Sequence, residues 1–193
     1  MVINMEEKVL NIKNVVCQRC KSSVREILEG LKIPYQEVSL GQAVLERPLN
    51  SGELSAIKEE FHRVGFEILF DKNERLVNKI KSIIIARIYK EENFGSGKLS
   101  KVLSENLYYD YSHLTRVFTA IEGKNIQEFQ NQVKIERTKE LLENNELNIS
   151  EIARETGYSS ATYLATQFKK MTGVSPSEYR FQERRRTVDL DEI

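Results

Sequence analysis

The chain has 193 residues, 40% of them hydrophobic and 30% charged, with 29 Lys/Arg balanced by 29 Asp/Glu. That suits one or two globular domains. The longest apolar run, Ile83–Ala86, falls far short of the roughly 20 residues a bilayer span needs, so no membrane partner is expected. No charged start followed by an apolar stretch and a cleavage site is visible, and a cytoplasmic location is the expectation. Residues 1–75 carry 11 Lys/Arg against 12 Asp/Glu, and residues 98–186 carry 14 against 12. The weak basic bias of the second half permits nucleic-acid binding without predicting it. Cys17 and Cys20 are the only cysteines, and a reducing compartment argues against a structural disulfide.

The first 71 residues alternate strand and helix signals. Val9–Ile12 reads as a strand, and from Gln18 to Leu31 the residues Val24, Ile27, Leu28 and Leu31 recur at helical spacing. Tyr35–Leu40 is a second strand, Gly41-Gln42 a hairpin turn, and Ala43–Leu45 a third strand stopped at Pro48. Ser51 is placed to cap a helix with the stripe Leu54, Ile57, Phe61 and Val64, ended by Gly65. Phe66–Phe70 is a fourth strand. The order βαββαβ predicts a ferredoxin-like split unit, with right-handed crossovers between neighbouring parallel strands fixing its topology. A long helix follows over Glu74–Glu91. Its stripe of Leu76, Val77, Ile80, Ile83, Ile84 and Ile88 fits either the first helix of the second domain, packed into that domain's core, or a short coiled-coil contact between two chains. Asn93–Gly97 is a loop. It lacks the glycine and preceding strand of a phosphate loop.

The second half repeats itself at a spacing of fifty residues. Leu99-Ser100-Lys101-Val102 falls on Ile149-Ser150-Glu151-Ile152, Leu114 on Leu164, Phe118 on Phe168, Gly123 on Gly173 and Phe129 on Tyr179. A repeat of that length is a whole supersecondary unit. In the second copy Asn148 and Glu151 form a capping box. Ile152 and Ala153 face inward, Gly157 makes the turn, and Ser159 is placed to cap the next helix. Leu164 and Phe168 are the buried face of that helix, Thr162, Thr166 and Lys169 point outward, and Gly173 ends it. Pro176 then opens a short last helix carrying Tyr179. Two short helices around a turn glycine, with small polar residues starting the second, are what a helix-turn-helix needs to enter a major groove.

The stretch ISEIARETGYSSATYLATQFKKMTGVSPSEYR, Ile149 through Arg180, resembles the signature of the AraC/XylS family of transcription regulators. It does so at Gly157-Tyr158, Phe168-Lys169, Gly173, Pro176 and Tyr179-Arg180. The first copy matches at Leu114, Arg116, Phe118, Gly123 and Phe129, and Lys134–Leu142 resembles the linker helix. There Lys134 replaces a usual arginine and Thr138 a usual alanine. The resemblance covers roughly the last 110 residues. It implies two helix-turn-helix subdomains joined by a linker helix, each recognition helix entering one of two major-groove segments about 34 Å apart. The predicted fold class is therefore a two-domain α+β chain, a ferredoxin-like βαββαβ front and an all-α rear. The expected boundaries are 1–72 for the front, 73–97 for a connecting helix and loop, and 98–182 for the DNA-binding domain. Within the last, the two helix-turn-helix units span 98–123 and 148–173 around a linker helix at 125–145, and 183–193 is a tail. Double-stranded DNA is the expected partner, with RNA polymerase and a second copy of the chain left open as others.

By position, the first recognition helix would present Ser112, His113, Thr115, Arg116 and Thr119. Arg116 is the favoured base contact, since its guanidinium fork can reach guanine bidentately. The second helix would present Ser160, Ala161, Thr162, Ala165 and Thr166, the two alanines suiting a thymine methyl. Lys169 and Lys170 suit phosphate positioning or a plain solvated face. Residues that differ outward between the copies (His113 against Tyr163, Thr115 against Ala165, Arg116 against Thr166) predict two unlike half-sites. Arg184-Arg185-Arg186, diluted by Asp189, Asp191 and Glu192, reads as a tail.

At the front, Asn14-Val15-Val16-Cys17-Gln18-Arg19-Cys20 resembles heavy-metal-associated domains, whose CxxC at the first strand–helix turn binds a soft ion such as Cu(I). The glycine-methionine of that family is Asn14-Val15 here. No third ligand is apparent, His62 lying on the other helix, so zinc is not expected. Metal sensing through Cys17 and Cys20, a structural or dimerising role, and a thiol redox switch all stay open. No catalytic constellation is visible, and no enzyme is expected. The rival reading is a metal carrier or thiol oxidoreductase whose helical half is only an interaction module.

Overall fold

A computed structural model of the chain describes residues 7–90 and 97–182. Most of the loop at 93–97 and the arginine tail at 184–186 lie outside the described residues. The chain divides into two compact units, residues 1–86 with 93–123 and residues 87–92 with 124–193.

The first unit opens with β1 (Val9–Lys13), α1 (Gln18–Gly30), β2 (Tyr35–Ser39), β3 (Gln42–Leu45), α2 (Ser51–Arg63) and β4 (Glu67–Ile68). The sheet order is β2-β3-β1-β4 and every pairing is antiparallel. The two strands that each helix connects are therefore not neighbours, contrary to the adjacent-parallel expectation: β3 lies between β1 and β2, and β1 between β3 and β4. Period-two alternation puts Leu10 and Ile12 into a core with Val24, Leu28, Ala43, Leu45, Ile57 and Phe61. Phe61 meets Phe66 edge to face at 5.9 Å.

Two expectations here need correction. Asn50, and not Ser51, caps α2: its side chain accepts from the Glu53 N–H while the Glu53 carboxylate returns to the Asn50 N–H. Ser51 already lies inside the first turn. The fourth strand is only two residues long; beyond it, Leu69 N–H still reaches the Asn11 carbonyl at 2.8 Å before the chain turns into the next helix.

That helix, α3 (Lys72–Tyr89), starts where the Asp71 carboxylate accepts from the N–H groups of Asn73 and Glu74. Its apolar stripe is buried within the single chain, with Ile80 and Ile84 almost fully covered, and through Ala86 the helix belongs to the unit that holds the front sheet. Asn78 anchors it in the first unit by donating Nδ2 to the carbonyls of Ile12 (3.2 Å) and Gly41 (2.9 Å). Gly41 has φ +73°, and a Cβ there would stand 2.5 Å from Ser82 Oγ, so the turn under α3 needs glycine on both counts. The unit closes with α4 (Leu99–Leu107) and α5 (Tyr111–Glu122). Lys81 pairs with Glu122 at 2.6 Å.

The second unit contains α6 (Ile126–Asn144), α7 (Ile149–Glu155) and α8 (Ala161–Thr172), followed by helical backbone over 176–182. Its core gathers Ile135, Leu142, Ile152, Ala153, Leu164 and Phe168. The last helix is tied to it by Phe168 against Tyr179, edge to face at 5.5 Å, and by Tyr179 Oη donating to Glu143. Capping boxes start α6 at Asn125 and α7 at Asn148, the latter as the spacing predicts. Tyr89 and Lys90 belong to this unit: Tyr89 Oη donates to Glu140 at 2.7 Å and Lys90 pairs with Glu155 at 2.6 Å.

Candidate nucleic-acid interface

The helices α5 and α8 share one spine. Leu114 and Phe118 in α5 and Leu164 and Phe168 in α8 are fully buried, and each helix ends on a left-handed glycine, Gly123 or Gly173. Helical periodicity then turns the residues between them outward. On α5, Ser112, Arg116 and Thr119 are exposed, and His113 and Thr115 partly so. On α8, Ser160, Thr162, Thr166, Lys169 and Lys170 are exposed, while Ala161 and Ala165 are half-covered. Ser160, and not Ser159, caps α8, its Oγ accepting from the Tyr163 N–H at 3.1 Å; Ser160 is the residue whose backbone is extended next to the first helical one.

The polar groups on these faces are not equally free. Thr115 Oγ1 donates to the Tyr111 carbonyl and Thr166 Oγ1 to the Thr162 carbonyl, each at 2.9 Å, so both hydroxyl protons are spent on the preceding turn. Arg116 Nη2 lies 3.2 Å from His113 Nδ1, and the His113 ring stacks on Tyr109 with centroids 5.0 Å apart and planes at 20°. Tyr109 carries no periodic signal in the sequence because it sits in the turn before α5. Tyr163 is a half-exposed aromatic on α8, packed edge-on to Tyr158 at 6.0 Å.

The two turns differ. In the first copy the left-handed residue is Tyr108 (φ +57°), which is 91% exposed. In the second it is Gly157 (φ +69°), and the following Tyr158 is buried. The second turn is clamped from α6: Lys134 Nζ donates to the Gly157 carbonyl at 2.7 Å and lies 4.8 Å over the Tyr158 ring. Burial, and then the neighbouring Arg87 charge, lower the Lys134 pKa; burial pushes the Tyr158 phenol up to about 12. Thr138, at the other departure from the family pattern, is fully buried and bonds the Lys134 carbonyl.

At the front, Cys17 caps α1 and its Sγ lies 3.2 Å from Cys20 Sγ; both thiols are free and partly buried. Burial pushes the Cys20 thiol up. Asn14, at the glycine position of the resemblance, takes φ +70° and donates to the Gly65 carbonyl. Asparagine is among the few residues that tolerate that conformation. Among the described residues no three of His, Cys, Asp and Glu gather as a metal site.

Residues 103–182 match the family model described as a helix-turn-helix domain. The chain is 31% identical over 127 residues to the Msm operon regulatory protein of Streptococcus mutans, a match covering 66% of this chain and 44% of that protein. It is 29% identical over 96 residues to an HTH-type transcriptional regulator of Escherichia coli, YijO, covering 50% of this chain and 34% of that one. Among solved structures it resembles the C-terminal domain of AraT, a response regulator from Geobacillus stearothermophilus. That likeness has a TM-score of 0.50 and 28% identity, over 58% of this chain and 88% of the other. The chain thus spans less than half the length of the curated relatives it matches. No described helix is long and apolar enough to cross a membrane. With its paired spines and glycine stops, and with the family model matched across them, the C-terminal part of the chain is a helix-turn-helix domain, similar to those of HTH-type transcriptional regulators.

Proposed function

We propose that the chain is a sequence-specific transcription regulator that reads an asymmetric DNA site through α5 and α8. The observation that carries this is the identity of the two spines beside the difference of the two outward faces. The α5 face holds Arg116, a base reader; the outward face of α8 holds hydroxyls and half-covered alanines, with its cations Lys169 and Lys170 in the last turn. We assign base discrimination chiefly to α5 and phosphate anchoring to the end of α8. The test is fluorescence anisotropy on duplexes selected in vitro with the full chain. Arg116→Ala should cost about 1–3 kcal/mol at one base position. Lys169→Ala should weaken all sequences alike and reduce the salt slope by about one unit. Equal affinity of the parent chain for every duplex overturns the proposal.

We read the front sheet as ferredoxin-like, which its strand order and its two helical crossovers support. In that reading Cys17 and Cys20 offer two soft sulfur donors at a helix start, a set suited to Cu(I) and short of the four ligands of a structural zinc. Titration of the reduced chain against a Cu(I) chelator tests this. Uptake should vanish in Cys17→Ser/Cys20→Ser, and unchanged uptake there refutes it.

A further inference from the structure

We infer that His113 is a positioning residue, which holds the Arg116 guanidinium ready for its base and does not read a base itself. The inference rests on the reading of Arg116 as a base contact. A guanidinium has five donors and no acceptor, so the 3.2 Å contact between Arg116 Nη2 and His113 Nδ1 uses the Nδ1 lone pair and leaves the ring proton on Nε2. The two residues are three apart on α5, the spacing at which side chains of one helix meet. The ring cannot turn freely, because the Tyr109 ring lies nearly parallel to it at 5.0 Å. Tyr109 is outside the helix, four residues earlier in the turn, so the stack ties the aim of Arg116 to the turn as well as to α5. Glu105 and Asp110 border the same hollow, but Glu105 is engaged with Lys101 at 3.7 Å.

The arrangement has no counterpart in the second copy. The corresponding residues are Ser159, Tyr163 and Thr166, and Thr166 bonds its own helix backbone. A flexible arginine ordered only on binding loses affinity for the ordering; one already held loses less. Freeing one such side chain corresponds to about a two- to tenfold change in binding. Because the histidine acts through Arg116, that change belongs to one base position and not to the general affinity for DNA.

The experiment uses the full chain and a labelled duplex selected on it, together with the same duplex substituted at each base pair in turn. His113→Phe keeps a ring for Tyr109 and removes the acceptor. It should lower discrimination at the Arg116 base about two- to tenfold, leaving affinity for an unrelated duplex and its salt slope unchanged. His113→Asn, which restores an acceptor near the Nδ1 position, should recover part of the loss. In an Arg116→Ala background His113→Phe should do nothing more. Unchanged discrimination in His113→Phe overturns the inference, as does an equal loss on the unrelated duplex or a loss that persists without Arg116. If Arg116→Ala itself leaves every base position unaffected, the reading of Arg116 fails first, which is a separate result.

Discussion

Lys134→Met tests whether a cation from α6 holds the second turn in place. Methionine keeps an unbranched apolar stem but ends one atom short of Nζ, so the 2.7 Å bond to the Gly157 carbonyl and the cationic contact over Tyr158 are lost. A hydrogen bond from a charged group contributes about 1.5–3 kcal/mol and a partly exposed cation–π contact about 0.5–1 kcal/mol. Against that, methionine needs no desolvation and feels no repulsion from Arg87, the two effects that lower the lysine's pKa. Gly157 is also exposed, so water can take over its carbonyl. The net loss should be about 1–2 kcal/mol. Gly157→Ala supplies the second arm of a cycle. Its backbone, at φ +69°, costs an L residue about 1–2 kcal/mol. The new Cβ would also stand 3.4 Å from Lys134 Nζ, so the clamp must yield by a few tenths of an ångström. In the Lys134→Met background that second cost disappears, giving a coupling of about 0.5 kcal/mol. The chain has no tryptophan, so urea unfolding is followed by far-UV circular dichroism, and amide exchange locates the loss in α7 and α8. Strict additivity, or a Lys134→Met variant as stable as the parent, would refute the clamp.

Tyr158→Phe should be stabilising by about 1 kcal/mol, because Tyr158 Oη is buried with no hydrogen-bond partner among the described residues. It should also change the alkaline limb. With the folded phenol at about 12 and the unfolded one near 10, the folded state holds more protons in that window, so parent stability falls as pH rises through it. The variant lacks this slope, which urea midpoints at stepped pH would show. In the first unit, Asn78→Ala removes the amide's bonds to the Ile12 and Gly41 carbonyls under α3, the latter still accepting the Ile12 N–H, and should cost about 1–2 kcal/mol. A midpoint shift of less than 0.5 kcal/mol, roughly a surface-residue effect, would mean water replaces the amide.

The order of elements was legible because the two periodicities do not overlap. Leu10 and Ile12 alternate as a strand must, whereas Leu114 and Phe118 recur as only a helix allows. The cap positions were not: Asn50 stands beside Ser51 and Ser160 beside Ser159, and both members of each pair are good capping residues. Only the backbone, extended at Asn50 and Ser160, chooses between them. Helical spacing turns Ser112, Arg116 and Thr119 of α5 outward, and they are exposed in the structure, yet the alliance of Arg116 with His113 and Tyr109 is hidden in that spacing. The i,i+3 spacing of His113 and Arg116 could have exposed one half, but the Tyr109 stack has no periodic signature. The Lys134–Gly157 bond joins residues 23 apart in different helical contexts, and no local pattern announces it.

The fifty-residue echo also breaks where it matters for mechanism. An ungapped alignment sets Leu107 on Gly157, but the left-handed residue of the first copy is Tyr108, one position later. The first helix of that copy accordingly runs for 9 residues and its counterpart for 7. That shift decides the fate of the tyrosines. In the second copy Tyr158 follows the bend and turns inward beneath Lys134. In the first, Tyr108 occupies the bend and turns outward, leaving Tyr109 to stack on His113. One turn is therefore fastened to its supporting helix, and the other is fastened to the outward face of α5. If base reading resides in Arg116, its aim depends on the turn ahead of α5, and a substitution at Tyr109 should reach the DNA through two side chains without touching it.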